Sequence, residues 1–538
     1  MAKQIKSYLK DFYAFLKYLI QKFLNDHCLE NAEALSFTTM LSLVPLTAIS
    51  LYIAQGFPGF KNVWEELQQF IFNSFVPSKG HEILAYLTQF AKQAGNLPIW
   101  GIAWLGVISI ILMVNIAAVF SILQWELKRL GPASVFWLSV LAVFLVPALF
   151  DPFVGYVQPH IYSVNYELDI FTLVISQAYV LVFLLVCGFG YLLLRPKRFG
   201  GQVDKIYFVG QINSKSSRGL YWLLAFLYLS IFAVFESYQT FGMLLFSDFG
   251  FIARRDSLSA LSGFLLSYNL IICGGVFFWL MLTKRYLMSA SVVILYLLLY
   301  FVMGGSRQPL IILVLPFVVY FLSRSSYRVM YSALLVIFFN VFSKVLEFLL
   351  YLRNLSGFEA RLAAFSDIPD LMFNSQEAVG SSESSLRFAF YYFVHSGVGG
   401  DGFGELNYFL RTLFFWLPSK LDVLGIKPAD FEYTMFEFYM PGYQGTMHPT
   451  FFGSVYADSG WFLLPWAVFF VAIYRFFLPM MSRLKGVCFF AAWGLFAYFY
   501  MMLARGAIYG PFVALVFGMI LIYIFQTVSF SKKFRNFK

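Results

Sequence analysis

Apolar runs recur along nearly the whole chain, parted by short polar or basic punctuation. A membrane helix needs roughly 20 mostly apolar residues. The pattern predicts about twelve such spans. They fall near Ala32–Ile53, Ile99–Leu123, Ala133–Phe150, Phe171–Leu194, Leu220–Phe235 and Leu258–Leu282. The others are Leu287–Met303, Leu310–Leu322, Tyr331–Leu350, Trp461–Phe477, Cys488–Leu503 and Phe512–Phe525. Before them, Met1–Glu30 sets Lys3, Lys6, Lys10, Lys17 and Lys22 among apolar residues at helical spacing. That reads as an amphipathic helix on the membrane surface, with a partner-binding helix as the alternative. Gly56–Leu97 reads as a loop with amphipathic helical character. One interval is long and polar, Tyr351–Ser459.

The predicted fold is all-α: a polytopic transmembrane protein with one large extracytoplasmic loop. The chain divides into residues 1–125, a helical core at 126–350, the loop at 351–459, and the last helices with a basic tail at 460–538. An even number of spans puts both termini on one side. The basic clusters Lys128-Arg129, Arg195–Arg218, Lys284-Arg285, Arg324 with Arg328, Arg483 with Lys485, and Lys532–Arg535 then share that side. Lys and Arg accumulate on the cytoplasmic face. This predicts cytoplasmic termini and an exported loop.

Composition agrees. Sixty per cent of residues are apolar, and the formal net charge is +10. The charge sits between hydrophobic runs, as membrane orientation requires, so no nucleic-acid partner is expected. The four cysteines are scattered and give neither a disulfide framework nor a metal spacing. No cleavable leader is expected. Zinc, phosphate-loop and nucleophile-elbow motifs are absent from the sequence, so no metal or cofactor is expected.

The informative residues are arginines on the wrong side. Arg254, Arg255, Arg307 and Arg505 lie at predicted outer helix ends, and Arg353, Arg361, Arg387 and Arg411 in the loop. A charge near hydrocarbon usually faces a cavity or a partner. Each reads either as a snorkelling anchor or as part of a seat for phosphate oxygens, which suit the guanidinium fork. His448 suits a general base near neutral pH, or a hydrogen-bonded loop position. Asp401, among glycines, reads first as a turn former. Asp458 reads as a helix cap, or as a group orienting a catalytic residue.

Two stretches carry resemblances. Gly305-Ser306-Arg307, Phe409-Leu410-Arg411, Trp416-Leu417-Pro418 and His448–Trp461, with Arg254-Arg255, look like the Wzy-type oligosaccharide repeat-unit polymerases of O-antigen and capsule assembly. That resemblance implies a metal-independent, GT-C-like glycosyltransferase in the bacterial inner membrane. It would transfer an undecaprenyl-pyrophosphate-linked glycan onto another lipid-linked unit in lipopolysaccharide or capsule synthesis, with a chain-length regulator as a partner. His448 and Arg307 would be catalytic. Arg254, Arg255, Arg387, Arg411 and Arg505 would hold the pyrophosphate. Separately, Glu30–Leu46 and Phe70–Pro77 resemble the YihY/BrkB membrane protein family, a match ending near residue 120. It adds membrane placement and little chemistry. The competing readings are a transporter or flippase for a lipid-linked or anionic solute, and a membrane scaffold without catalysis.

Overall fold

The structure is a computed structural model. It describes residues 99–149, 151–153, 156–157, 166–193, 219–241, 259–302, 307–339, 382–397, 403–417, 422, 425–442 and 445–527. Among the described residues it is helical apart from one pair of two-residue strands. In chain order, α1 is Ile99–Arg129 and α2 Ser134–Ser139, which runs on into a wide turn at Val140–Leu145 and ends at Pro147–Leu149. Strands β1, Tyr156–Val157, and β2, Tyr166–Glu167, pair antiparallel. Then come α3 Ile170–Leu193, α4 Leu220–Leu229, α5 Ile231–Phe241, α6 Ala260–Leu282, α7 Tyr286–Val302 and α8 Arg307–Arg324. Next are α9 Arg328–Phe339, α10 Ser382–Ser396, α11 Asn407–Leu413, α12 Phe431–Tyr439 and α13 Thr450–Ser459. Last are α14 Leu464–Ser482, α15 Val487–Arg505 and α16 Tyr509–Thr527.

Among the described residues, seven helical stretches are long and apolar enough to cross a membrane. They are α1, α3, α4 with α5, α6, α14, α15 and α16, and each coincides with a span read from the sequence. The expected spans at Ala133–Phe150, Leu287–Met303 and Leu310–Leu322 are shorter apolar helices. The span at Ala32–Ile53, the far half of Tyr331–Leu350, the amphipathic Met1–Glu30, the loop Gly56–Leu97, the basic stretch 195–218 and the tail Lys532–Arg535 lie outside the described residues.

Helical periodicity sets what faces lipid. On α1, Leu105, Ile108, Leu112, Ile116, Val119 and Leu123 are buried, while Trp104, Val107, Ile110 and Val114 form an exposed apolar stripe. Spacings of three and four put each set on one face. The exposed face is as apolar as the buried one, which fits lipid rather than water. The polar contact Asn115 Nδ2 to the Gln177 carbonyl, 3.0 Å, then ties α1 to α3. Such bonds substitute for the hydrophobic drive that lipid removes.

Helix α15 is the centre of the bundle: 94% of its span is buried, against 33% for α1. Small residues let it close on α6. A Cβ at Gly275 would overlap the Phe490 carbonyl oxygen, and one at Gly494 would come within 3.1 Å of the Gly275 nitrogen. On the other side of α6, a Cβ at Gly274 would sit 2.6 Å from the Ile312 carbonyl of α8. Adjacent glycines thus let α6 pack tightly between two helices.

The described part of the interval expected as a large loop is folded into this bundle. Helix α10 buries Phe390 and Tyr391 against α3, the turn after α2, and α13. Every residue of α13 is buried. Residues 340–381, with Arg353 and Arg361, and residues 398–402, with Asp401, lie outside the described residues.

Candidate functional site

The polar residues of this interval meet where α11, α12 and the start of α13 approach the turn between α15 and α16. Helix α12 begins at Asp430, whose Oδ1 accepts from the Glu432 N–H at 3.2 Å. An aspartate cap with a glutamate in the first turn is the ordinary way to satisfy and charge-balance a helix start. The Glu432 carbonyl then accepts from the Met447 N–H at 3.1 Å, which pins His448 beside the head of α12. Pro449, at φ −80° and ψ 47°, makes an inverse γ-turn, with the Thr450 N–H donating to the His448 carbonyl at 2.9 Å. Thr450 then takes φ 63°, a left-handed conformation uncommon for a β-branched residue. The turn after α15 presses against it. A Cβ at Gly506 would lie 2.5 Å from the Thr450 carbonyl, and Ser454 Oγ donates to the Gly506 carbonyl at 2.8 Å.

At the centre, Tyr408 Oη donates to Glu432 Oε1 and accepts from the Ile508 N–H at 2.8 Å, which serves the start of α16. His448 Nδ1 lies 3.8 Å from Glu432 Oε2. That Nδ1 is shielded from solvent, with no hydrogen-bond partner among the described residues. Burial, then the positive charge of Arg505, pull the imidazole down to about 4. Burial pushes the Glu432 carboxyl up to about 7, with Asp430 adding to the rise and Tyr408 and Arg411 opposing it. The usual order of an acid and a base is therefore inverted. Near neutral pH the imidazole is uncharged, and the carboxyl keeps its proton to higher pH than an ordinary glutamate.

Arg411 donates to the Pro428 carbonyl at 2.7 Å and to Asp430 at 3.2 Å, with its guanidinium 4.6 Å from the Tyr509 ring centroid. Lys427 reaches the same residue, donating to Tyr509 Oη at 2.7 Å. Asp458 turns out to be a cap, but for a helix distant in sequence. It accepts from the N–H groups of Tyr408 and Phe409, at 2.7 and 3.1 Å, and from Trp466 Nε1 at 2.9 Å. Burial raises its carboxyl to about 6 against those bonds.

The structure thus brings His448, Arg411 and Arg505 to one place. Arg387 goes elsewhere. It sits in α10 as a buried fork on Asp151, at 2.6 and 2.7 Å, and Tyr391 Oη donates to the same carboxylate at 2.7 Å. Arg307 is the first residue of α8, and its side chain lies outside the described set, as do Arg254 and Arg255. Among the described residues no group of three metal-ligating side chains comes together. Sequence reasoning missed Glu432, Tyr408 and Asp151. Asp430-Phe431-Glu432 reads as a helix start and nothing more, and Asp151 is a lone acid after an apolar run.

The fold defines a multi-pass helical membrane protein. Part of the chain is similar to UPF0761 membrane proteins, which are the YihY/BrkB family. A Legionella pneumophila relative is 38% identical over 136 residues, which cover 25% of this chain and 33% of the relative. One from Alcanivorax borkumensis is 30% identical over 159 residues, 27% of this chain and 37% of the relative. One from Coxiella burnetii is 33% identical over 131 residues, 24% of this chain and 47% of the relative. The chain thus spans a third to a half of the length of these relatives. No family model and no solved structure matches.

These relatives overturn the polymerase reading: they are UPF0761 membrane proteins, not O-antigen polymerases. The stretch that most resembled a polymerase, His448–Trp461, is largely the wholly buried α13, and Asp458 within it is spent on capping α11. Packing accounts for α13, and a capping role for Asp458.

Proposed function

We propose that this multi-pass membrane protein binds a phosphate-type anionic group at the His448–Glu432–Arg505 site, and that binding is linked to a proton on Glu432. The observation that carries the reading is the buried Nδ1 of His448, which faces Glu432 at 3.8 Å without a hydrogen-bond partner among the described residues. Buried polar atoms are nearly always satisfied, and a ligand hydroxyl or a proton-bearing oxygen would satisfy this one. The cationic side chains Arg505 and Arg411 favour an anion, and guanidinium suits phosphate. Protonation of Glu432 removes the charge that would repel it. A neutral imidazole beside a carboxyl of raised proton affinity can also pass a proton to or from the bound group, and any chemistry in this reading is confined to that transfer.

The ligand class is a phosphate-bearing membrane lipid, of which a polyprenyl pyrophosphate is one example. The proposal includes the full topology: about twelve spans, cytoplasmic termini, and the site at the outer face of a bacterial inner membrane. The test is binding by the full-length protein in nanodiscs, with inorganic pyrophosphate and with an anionic phospholipid as separate probes. Affinity should weaken as pH rises through about 7, and Glu432→Gln should remove that dependence. Lipid binding without pyrophosphate binding would identify a headgroup seat that needs the acyl chains. Equal affinity on both sides of that pH, or binding unchanged in Arg505→Ala, would sink the reading.

A further inference from the structure

Another buried carboxyl, Glu126, lies far from this site in the chain, and its placement does not depend on what His448 does. Glu126 occupies the last turns of α1, inside a stretch long and apolar enough to cross the membrane. It is 2% exposed. Its Oε1 accepts from Tyr474 Oη of α14 at 3.0 Å. Its Oε2 has no hydrogen-bond partner among the described residues, and it fills the space that a Cβ at Gly131 would occupy. The absence of a side chain at Gly131 makes the niche that admits it.

Among the described residues, the titratable groups facing Glu126 are few. Tyr474 comes from α14 and Tyr500 from α15, both neutral phenols, and Arg129 from its own helix. Arg129 lays its guanidinium 3.7 Å from the Trp125 ring centroid, and no ion pair joins it to Glu126 among the described residues. An ionised carboxylate here would hold one hydrogen bond from a neutral donor. Leaving a charge so poorly compensated is unfavourable, and a bound proton removes that penalty. Ionisable groups inside membrane helices mark proton or ion sites more often than structural ones.

We propose that Glu126 is a proton-binding site within the membrane, set at the contact of α1 with α14. Its filled and empty forms differ by one charge at that contact. The neutral carboxyl is also the form that hydrophobic carbodiimides modify. The carboxyl O–H adds across one C=N bond of the reagent, oxygen to carbon and hydrogen to nitrogen, with nothing leaving. The O-acylisourea then rearranges to a stable N-acylurea.

The experiment treats membranes holding the full-length protein with dicyclohexylcarbodiimide and maps adducts by mass spectrometry. The expected result is an adduct on Glu126, lost in Glu126→Gln, that weakens as pH is raised. A water-soluble carbodiimide should spare Glu126. Infrared difference spectra of the wild type against Glu126→Gln should show one protonated-carboxyl C=O band lost in the variant. This second measurement needs no reagent access. Absence of that band, with no adduct on Glu126 while other sites react, would overturn the proposal. So would protection of Glu126 by sodium ions at fixed pH without any pH dependence, because that would make it a metal-cation site.

Discussion

Glu432 and His448 hold opposite proton linkages within one contact, and this sets the behaviour of the protein with pH. His448 is lowered from 6.5 to about 4, so the unfolded chain binds more protons across that window and acid weakens the fold there. Glu432 is raised from 4.5 to about 7, so the folded chain binds more protons and stability is lost as pH rises through that window. Each limb is worth roughly 3 kcal/mol at most, and over their shared range they offset one another. The wild type should therefore show a nearly flat melting temperature there. His448→Gln should become more stable as pH falls from about 7 towards 4.5, and Glu432→Gln less stable as it falls from 6.5 towards about 4. Thermal melting in detergent reads both slopes, and slopes of the same sign would refute the pairing. Asp151 and Arg387 make a different case. Asp151→Asn leaves a buried guanidinium without its counter-charge, a loss of about 3–5 kcal/mol. Melting of the purified variant should show that drop, and Asp151→Asn with Arg387→Met should recover part of it. The sequence made His448, Arg411 and Arg505 visible because unusual charges stand out against apolar runs. It hid Glu432 because capping acids and site acids look alike until their neighbours are known.

At the scale of elements, the apolar runs were legible because length and composition alone decide whether a helix can span a bilayer. The edges were less so. Trp461–Phe477 reads as a span, but the helix starts at Leu464 and runs on to Ser482, because Gly460 and the turn after it close α13 first. Helix α13 itself was read as loop: its ten residues are too few for a span and too polar for the pattern. Helix crossing is governed by small residues that periodicity does not flag. Gly275→Ala should force α6 and α15 apart, lowering the yield of monodisperse protein and its melting temperature. Gly263→Ala, on the same helix with nothing within 4 Å of the added carbon, should be neutral or gain up to about 1 kcal/mol in helix propensity. Size-exclusion profiles and melts of the two variants make the comparison.

For the whole molecule, the basic punctuation makes one global prediction. A reporter active only outside the cytoplasm, fused after Asp422, should be active, and the same reporter fused after Lys538 should be silent. Activity at both would refute the even-numbered topology. The described part of the interval expected as a large outer loop is part of the bundle, because Phe390, Tyr391 and α13 carry enough apolar surface to join its core. Composition averaged over a long interval hid that. The glycine pair of α6 has a consequence for biogenesis. Helices leave the ribosome in order, and α6 meets α8 through Gly274 soon after both are inserted. Its Gly275 face must wait, bare to lipid, until α15 is made near the end of synthesis. Chains stalled before α15 would present that face to the membrane's quality-control proteases. The survival of nascent chains should therefore rise abruptly once α15 has emerged.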